Sequence, residues 1–115
     1  MATVELTEDN LPEILNAPGI VIIDFWAGWC IPCRVFSRIY ESMSTKHPDI
    51  VFGKVNTEVE LNLTLAFKVT TLPTLMVFRD GHVVYAQPGA MRSRDLAHLI
   101  GAARELDMDE VRRRR

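Results

Sequence analysis

The chain has 115 residues, 48% of them hydrophobic and 24% charged, with a net charge of −2. This length suits one domain around one core, and the composition is that of an ordinary globular protein, which excludes disordered, collagen-like and fibrous chains. A charge this close to neutral argues against a nucleic-acid partner, whose phosphates need a concentrated positive field. The longest apolar run, residues 19–25, is broken by Asp24 and is too short to cross a bilayer.

In chain order, residues 3–6 allow a short first strand. Thr7 then reads as the cap of a helix whose apolar face is Leu11, Ile14 and Leu15, ended by Pro18-Gly19. Residues 20–26 are β-branched and aromatic, the pattern of a strand buried on both faces. From 33 to 43 the apolar positions Val35, Phe36, Ile39, Tyr40 and Met43 recur at helical spacing, and Pro48-Asp49 breaks that helix. Residues 50–55 form the next strand.

The segment 59–69 is ambiguous. Val59, Leu61, Leu63, Leu65, Phe67 and Val69 alternate as in a strand, yet Leu61 and Leu65 are also an i,i+4 pair, and a segment joining two strands is usually a helical crossover. A helix is the expectation. Strands at 75–78 and 83–85 flank Asp80-Gly81, a hairpin turn signal. Ser93 is then expected to cap a last helix with Leu96, Leu99, Ile100 and Ala103 on one face. The alternation of strands and helices argues an α/β sandwich with helices on both faces of the sheet. One domain is expected over residues 1–106, followed by a charged tail, 107–115. A solvated, fraying helical extension with i,i+4 ion pairs is favoured for the tail over a basic tag for an acidic partner.

Only two cysteines are present, three positions apart, at Cys30 and Cys33. That excludes a multi-disulfide scaffold. Zinc would need four ligands, and His47, His82 and His98 are dispersed without ligand spacing, so no metal is expected. Redox use remains. The pair lies where a buried strand hands over to a helix, which places Cys30 at a helix N-terminus. There, free N–H groups and the positive end of the dipole favour the thiolate that attacks disulfides. Cys33 falls in the first turn, and Pro32 costs little there because its missing N–H has no helical partner. Trp29, beside Cys30, would supply apolar area for binding targets. Asp24 lies inside an apolar strand, where an unpaired carboxylate is expensive and its pKa rises; placement at a strand end in solvent is the other reading. Arg34 either keeps the local potential positive or is simply solvated.

These residues resemble the thioredoxin family. The resemblance rests on Asp24-Phe25-Trp26-Ala27, Trp29-Cys30-x-Pro32-Cys33-Arg34, Lys54, Leu72-Pro73-Thr74, Phe78-Arg79-Asp80-Gly81 and Gly89-Ala90, in family order from about residue 6 to 106. It implies a thioredoxin fold, α/β, with a central mixed sheet of four to five strands flanked by four helices. It implies a reductase of protein disulfides in which Cys30 is the nucleophile and Cys33 the resolving thiol. By the same resemblance Asp24, partnered by Lys54, is a buried general base. Pro73, after Leu72, is expected to be cis and to face the disulfide, with Gly89 and Ala90 forming part of the same docking surface as Trp29, Ile31 and Pro32.

No bound cofactor is implied. The redox group is the Cys30–Cys33 disulfide itself, with electrons from a partner thioredoxin reductase, an NADPH-dependent flavoprotein. Disulfide-containing proteins would be the targets. A monomer is expected, with no nucleic-acid or membrane partner. The first ten residues carry no basic cluster or apolar stretch of the signal-peptide kind, so the expected location is the cytoplasm, where thiols stay reduced.

Two departures from the family stand out. Ile31 occupies the position where typical thioredoxins have glycine, and Arg38 stands near a helix-kinking proline of many members. An oxidase or isomerase of the same superfamily, and a non-catalytic binding subunit using the same apolar surface, remain as alternatives.

Overall fold

The structure, a computed structural model, describes residues 2–114. Its elements run β1 (Thr3–Glu5), α1 (Leu11–Asn16), β2 (Ile20–Trp26), α2 (Ile31–Lys46), β3 (Val51–Asn56), α3 (Leu61–Ala66), β4 (Thr74–Arg79), β5 (His82–Pro88), α4 (Ser93–Glu105) and α5 (Met108–Arg113). The five strands form one sheet in the order β1-β3-β2-β4-β5. Strands β1, β3 and β2 are parallel, while β4 runs antiparallel to β2 and β5 antiparallel to β4. This is the expected mixed sheet with one helix more than expected.

Strand β2 lies at the centre, so its two faces meet different helices. Ile20 and Ile22 pack with Phe36, Tyr40 and Met43 of α2 and with Leu96, Ile100 and Ala103 of α4. Val21, Ile23 and Phe25 pack on the other face with Leu11, and with Ile14, Leu63 and Phe67 from α1, α3 and the residue after α3. Side chains alternate across a strand, so Asp24 falls on the α2 side, next in line after Ile20 and Ile22. Helix α2 crosses that face and buries Tyr40, whose hydroxyl lies 3.0 Å from the Ile22 carbonyl and 2.8 Å from that of Gly53.

The ambiguous segment is helical. Leu63 and Phe67 turn inward at i,i+4 spacing, while Leu61 and Leu65 are exposed. The crossover from β3 to β4 therefore overrides the strand-like alternation. Lys68, at φ 57°, ends the turn.

The β4–β5 loop is the expected hairpin. Arg79 pairs with His82, leaving Asp80 and Gly81 as the two turn residues, both at positive φ (51° and 81°), as a type I′ turn requires.

Three expectations need correction. Thr7 does not cap α1. Its Oγ1 accepts from the Asp9 and Asn10 amides, closing a turn ahead of the helix, and Asn10 occupies the cap position. Ser93 is the first helical residue rather than the cap. The chain is still extended at Arg92 (φ −77°, ψ 160°), which takes the cap position without a side-chain hydrogen bond to the helix amides.

The third correction concerns the segment after 106, which is docked rather than splayed into solvent. Asp107 Oδ1 accepts from the Asp109 and Glu110 amides, and Met108 is buried. Arg79 Nη1 donates to the carbonyls of Ala103, Arg104 and Leu106 (2.8, 3.1 and 2.9 Å), capping α4 where α5 begins. The expected i,i+4 pairing is present between Glu110 and Arg114 (2.8 Å).

Gly53 sits where β3 passes under Leu6. A Cβ there would overlap the fully buried Leu6 side chain, only 2.7 Å from its Cγ. Gly53→Ala is expected to cost about 1–3 kcal/mol by overpacking, read as a lower urea midpoint with an unchanged m-value.

Candidate active site

Strand β2 ends at Trp26, and the next four residues turn the chain into α2. Cys30 occupies the N-cap position in extended conformation (φ −87°, ψ 110°), with Ile31 and Pro32 opening the helix. Its Sγ accepts the Cys33 backbone N–H at 3.2 Å, one of the amides that a helix N-terminus leaves without an internal partner. The two cysteines are joined as a disulfide with Cα atoms 5.3 Å apart. Both are buried, and they cluster with Ala27, Trp26 and Leu72. Trp29 and Ile31, flanking Cys30 in sequence, are each 70% exposed. An exposed apolar rim thus borders a largely covered sulfur pair.

Of the other expected site residues, Leu72 packs against this pair. The Leu72–Pro73 peptide is cis, and Pro73 is buried. Gly89, at φ 110°, donates its N–H to the Pro73 carbonyl at 2.8 Å, so the loop after β5 is pinned to the cis-proline loop. Ala90 and Pro32 are exposed. Leu72 meets the disulfide cluster directly, whereas Ala90 joins none of the packed clusters.

Asp24 is completely buried (0% exposed), and neither carboxyl oxygen has a hydrogen-bond partner among the described residues. Burial raises its pKa from 3.8 to about 7, and the Lys54 charge pulls the other way without prevailing. Strand register sets Lys54 directly beside Asp24, yet the two form no ion pair. The Lys54 ammonium instead donates to Ser37 Oγ at 3.0 Å and lies 5.0 Å from the centre of the Trp26 ring. Beyond it, a cleft of about 400 Å³ lined by Thr3, Glu5, Trp26, Glu41, Lys54 and Asn56 opens to the surface. The Asp24 charge also raises the Tyr40 pKa, after burial as the larger cause.

Three supporting residues were not singled out from the sequence. Ser37 follows Cys33 by one helical turn, and that spacing is the only signal that marks it. Glu58 Oε1 accepts the Gly28 N–H at 3.0 Å, tying the loop after β3 to the loop that carries Cys30. Thr57 donates both its amide and its hydroxyl to the Trp26 carbonyl, each at 2.9 Å. Among the described residues no group of three His, Cys, Asp or Glu side chains is placed to hold a metal. No described helix is long and apolar enough to cross a membrane.

The family model for thioredoxin matches residues 2–102. The chain is 48% identical over 112 residues to a putative thioredoxin 2 of Streptomyces coelicolor, covering 97% of this chain and 84% of that one. It is 40% identical over 91 residues to a thioredoxin of Coprinus comatus, covering 74% and 86% of the two chains. Its fold is similar to the crystal structure of thioredoxin f from spinach chloroplast in its short form, with a TM-score of 0.82, 25% identity and coverage of 90% and 95%.

The buried carboxyl makes stability depend on pH. Between 3.8 and about 7 the folded state holds a proton on Asp24 that the unfolded chain releases, so stability falls as pH rises through this window. Above it the accumulated loss is of the order of 4 kcal/mol, at about 1.4 kcal/mol per pH unit. Asp24→Asn removes this dependence. The variant is expected to gain on the parent protein from pH 4 upward and to hold a constant advantage above pH 7, measured by urea unfolding of the oxidised proteins.

Proposed function

Since the chain belongs to the thioredoxin family, we propose that its exchange reaction is carried by Cys30 as nucleophile, Cys33 as resolving thiol and Asp24 as the proton acceptor between them. The chain is a thiol–disulfide oxidoreductase that reduces protein disulfides. The observation that carries the assignment of roles is the Cys33 amide directed at Cys30 Sγ at the N-terminus of α2. This N–H and the helix dipole favour negative charge on Cys30 and do nothing comparable for Cys33.

In the reduced protein the Cys30 thiolate attacks one sulfur of a target disulfide. The target S–S bond breaks, its second sulfur leaves as a thiolate, and a mixed disulfide forms on Cys30. Cys33 then gives its proton to the Asp24 carboxylate and attacks Cys30 Sγ. The mixed disulfide breaks, the target leaves fully reduced, and two electrons have passed from the dithiol to the target. A carboxyl that titrates near neutrality suits this step, because an effective base has a pKa close to the working pH. Lys54, held by Ser37, keeps a positive charge near Asp24 without neutralising it by direct pairing.

Members of the family use the disulfide itself as the redox group, without a bound cofactor. Electrons to restore the dithiol come from a partner reductase, an NADPH-dependent flavoprotein, and a cytoplasmic setting matches this direction of flow. Trp29, Ile31, Pro32, Leu72, Pro73, Gly89 and Ala90 form the surface that receives the target, and the protein works as a monomer.

Insulin reduction driven by NADPH and a generic thioredoxin reductase tests the whole cycle. Turnover is expected and is lost in Cys30→Ser; a fully active Cys30→Ser variant would overturn the assignment. Cys33→Ser is expected to accumulate covalent complexes with target proteins, resolved by non-reducing electrophoresis, whereas Cys30→Ser accumulates none. Equal trapping by both variants refutes the division of roles. For Asp24, the rate of mixed-disulfide resolution is expected to climb between pH 6 and 8 as the carboxyl ionises. Asp24→Asn is expected to flatten that climb and slow resolution about tenfold or more at neutral pH. A resolution rate in Asp24→Asn that matches the parent from pH 6 to 9 eliminates the relay.

A further inference from the structure

The two faces of α2 differ in kind. Cys33, Phe36, Tyr40 and Met43 are buried. Ile31, Arg34, Val35 and Arg38 are exposed and recur at i, i+3, i+4 and i+7, which makes them one stripe along the outer face. Val35 is 62% exposed, against 70% for Ile31 and for Trp29 in the preceding loop. A lone exposed apolar residue needs no explanation. Three of them close to Cys30 in sequence, two on one helical stripe, make a surface.

The stripe is also charged in one sense. Arg34 and Arg38 make no ion pair or side-chain hydrogen bond among the described residues. The residues three and four positions from Arg34 are Cys30, Ile31, Ser37 and Arg38, none of them acidic. The acid one turn beyond Arg38 is Glu41, and its Oε1 accepts the Thr3 hydroxyl at 2.7 Å instead. The loop that carries Cys30 has an acid on its other side, Glu58, whose Oε1 is fixed on the Gly28 amide at 3.0 Å. The surroundings of the disulfide are therefore polarised, basic and apolar along α2 and acidic towards the β3–α3 loop.

The geometry points to the Ile31–Arg34–Val35–Arg38 stripe as a specificity surface for disulfide reduction, one that takes a target segment bearing an apolar side chain and a carboxylate beside its reacting cysteine. The stripe is continuous with the reaction centre, because Ile31 directly follows Cys30. A target linked to Cys30 must lay its flanking residues across one rim or the other. A carboxylate is drawn to the arginine side and repelled by Glu58, and such complementarity acts chiefly on selection and rate of encounter. This inference rests on Cys30 as the attacking thiol.

The test uses the full reduced chain and two cyclic disulfide peptides, both with Leu beside the reacting cysteine, differing only in Glu or Lys at one nearby position. The readout is the ratio of their kcat/KM values on one protein sample, so an inactive fraction cancels. The parent protein is expected to favour the Glu peptide about fivefold at low salt, the scale of one exposed ion pair, with the ratio falling towards one at high salt. Arg38→Glu is expected to reverse the preference. Val35→Ser is expected to slow both peptides while keeping the ratio. A ratio near one in the parent protein, or an unchanged ratio in Arg38→Glu, overturns the proposal. Failure of the underlying reading is distinct, since neither peptide would then be reduced at all.

Discussion

The whole site depends on the double enclosure of β2. The strand is hydrogen-bonded to β3 on one edge and β4 on the other, and helices cover both of its faces. Every side chain from Ile20 to Phe25 is buried, and the one ionisable group among them, Asp24, must lie in the core. The same rigidity delivers the chain end at Trp26 to a fixed point at the rim of the sheet. A four-residue turn from there is enough to set Cys30 over the start of α2. The proposed exchange reaction uses both results: a sulfur at a helix N-terminus and a carboxyl whose charge is disfavoured by its surroundings.

Helix α2 performs three tasks with three parts of its surface. Its N-terminus offers the Cys33 amide to Cys30. Its inner face fills the core with Phe36 and Tyr40, and Ser37 receives the Lys54 ammonium that strand register has placed beside Asp24. Its outer face carries Ile31, Arg34, Val35 and Arg38 into solvent. Burying an acid without a hydrogen-bond partner works against folding at neutral pH, and the large apolar clusters on both sides of the sheet offset it. The site is thus a local concession within a well-packed structure.

The loops around the disulfide are held by hydrogen bonds between residues distant in sequence. Glu58 reaches Gly28, Thr57 reaches the Trp26 carbonyl, and Gly89 reaches the Pro73 carbonyl. None of these is a redox group, but together they fix the loops that border the sulfur pair. Loops positioned by a rigid scaffold are where function commonly resides.

How far the sequence could be read follows from the range of the forces involved. Local patterns carried the β-branched run of β2, the helical spacing of α2, the Asp80-Gly81 turn and the strand-to-helix placement of Cys30 and Cys33, because periodicity and turn geometry are set by neighbours within a few residues. Family motifs marked Asp24, Lys54 and Pro73. Tertiary structure decided the rest. It chose which side of the helix expected at 61–66 faces inward, turning Leu63 and Phe67 to the core and leaving Leu61 and Leu65 exposed. It capped the end of α4 with Arg79 and docked the segment after 106 by giving Met108 a buried place and Arg112 a partner in Asp80 at 3.8 Å. It sent Lys54 to Ser37 rather than onto Asp24, and it left Asp24 without a partner. Each outcome turns on groups far apart in the chain that meet only when the sheet and helices have assembled, and on a desolvation that exists only in the assembled core.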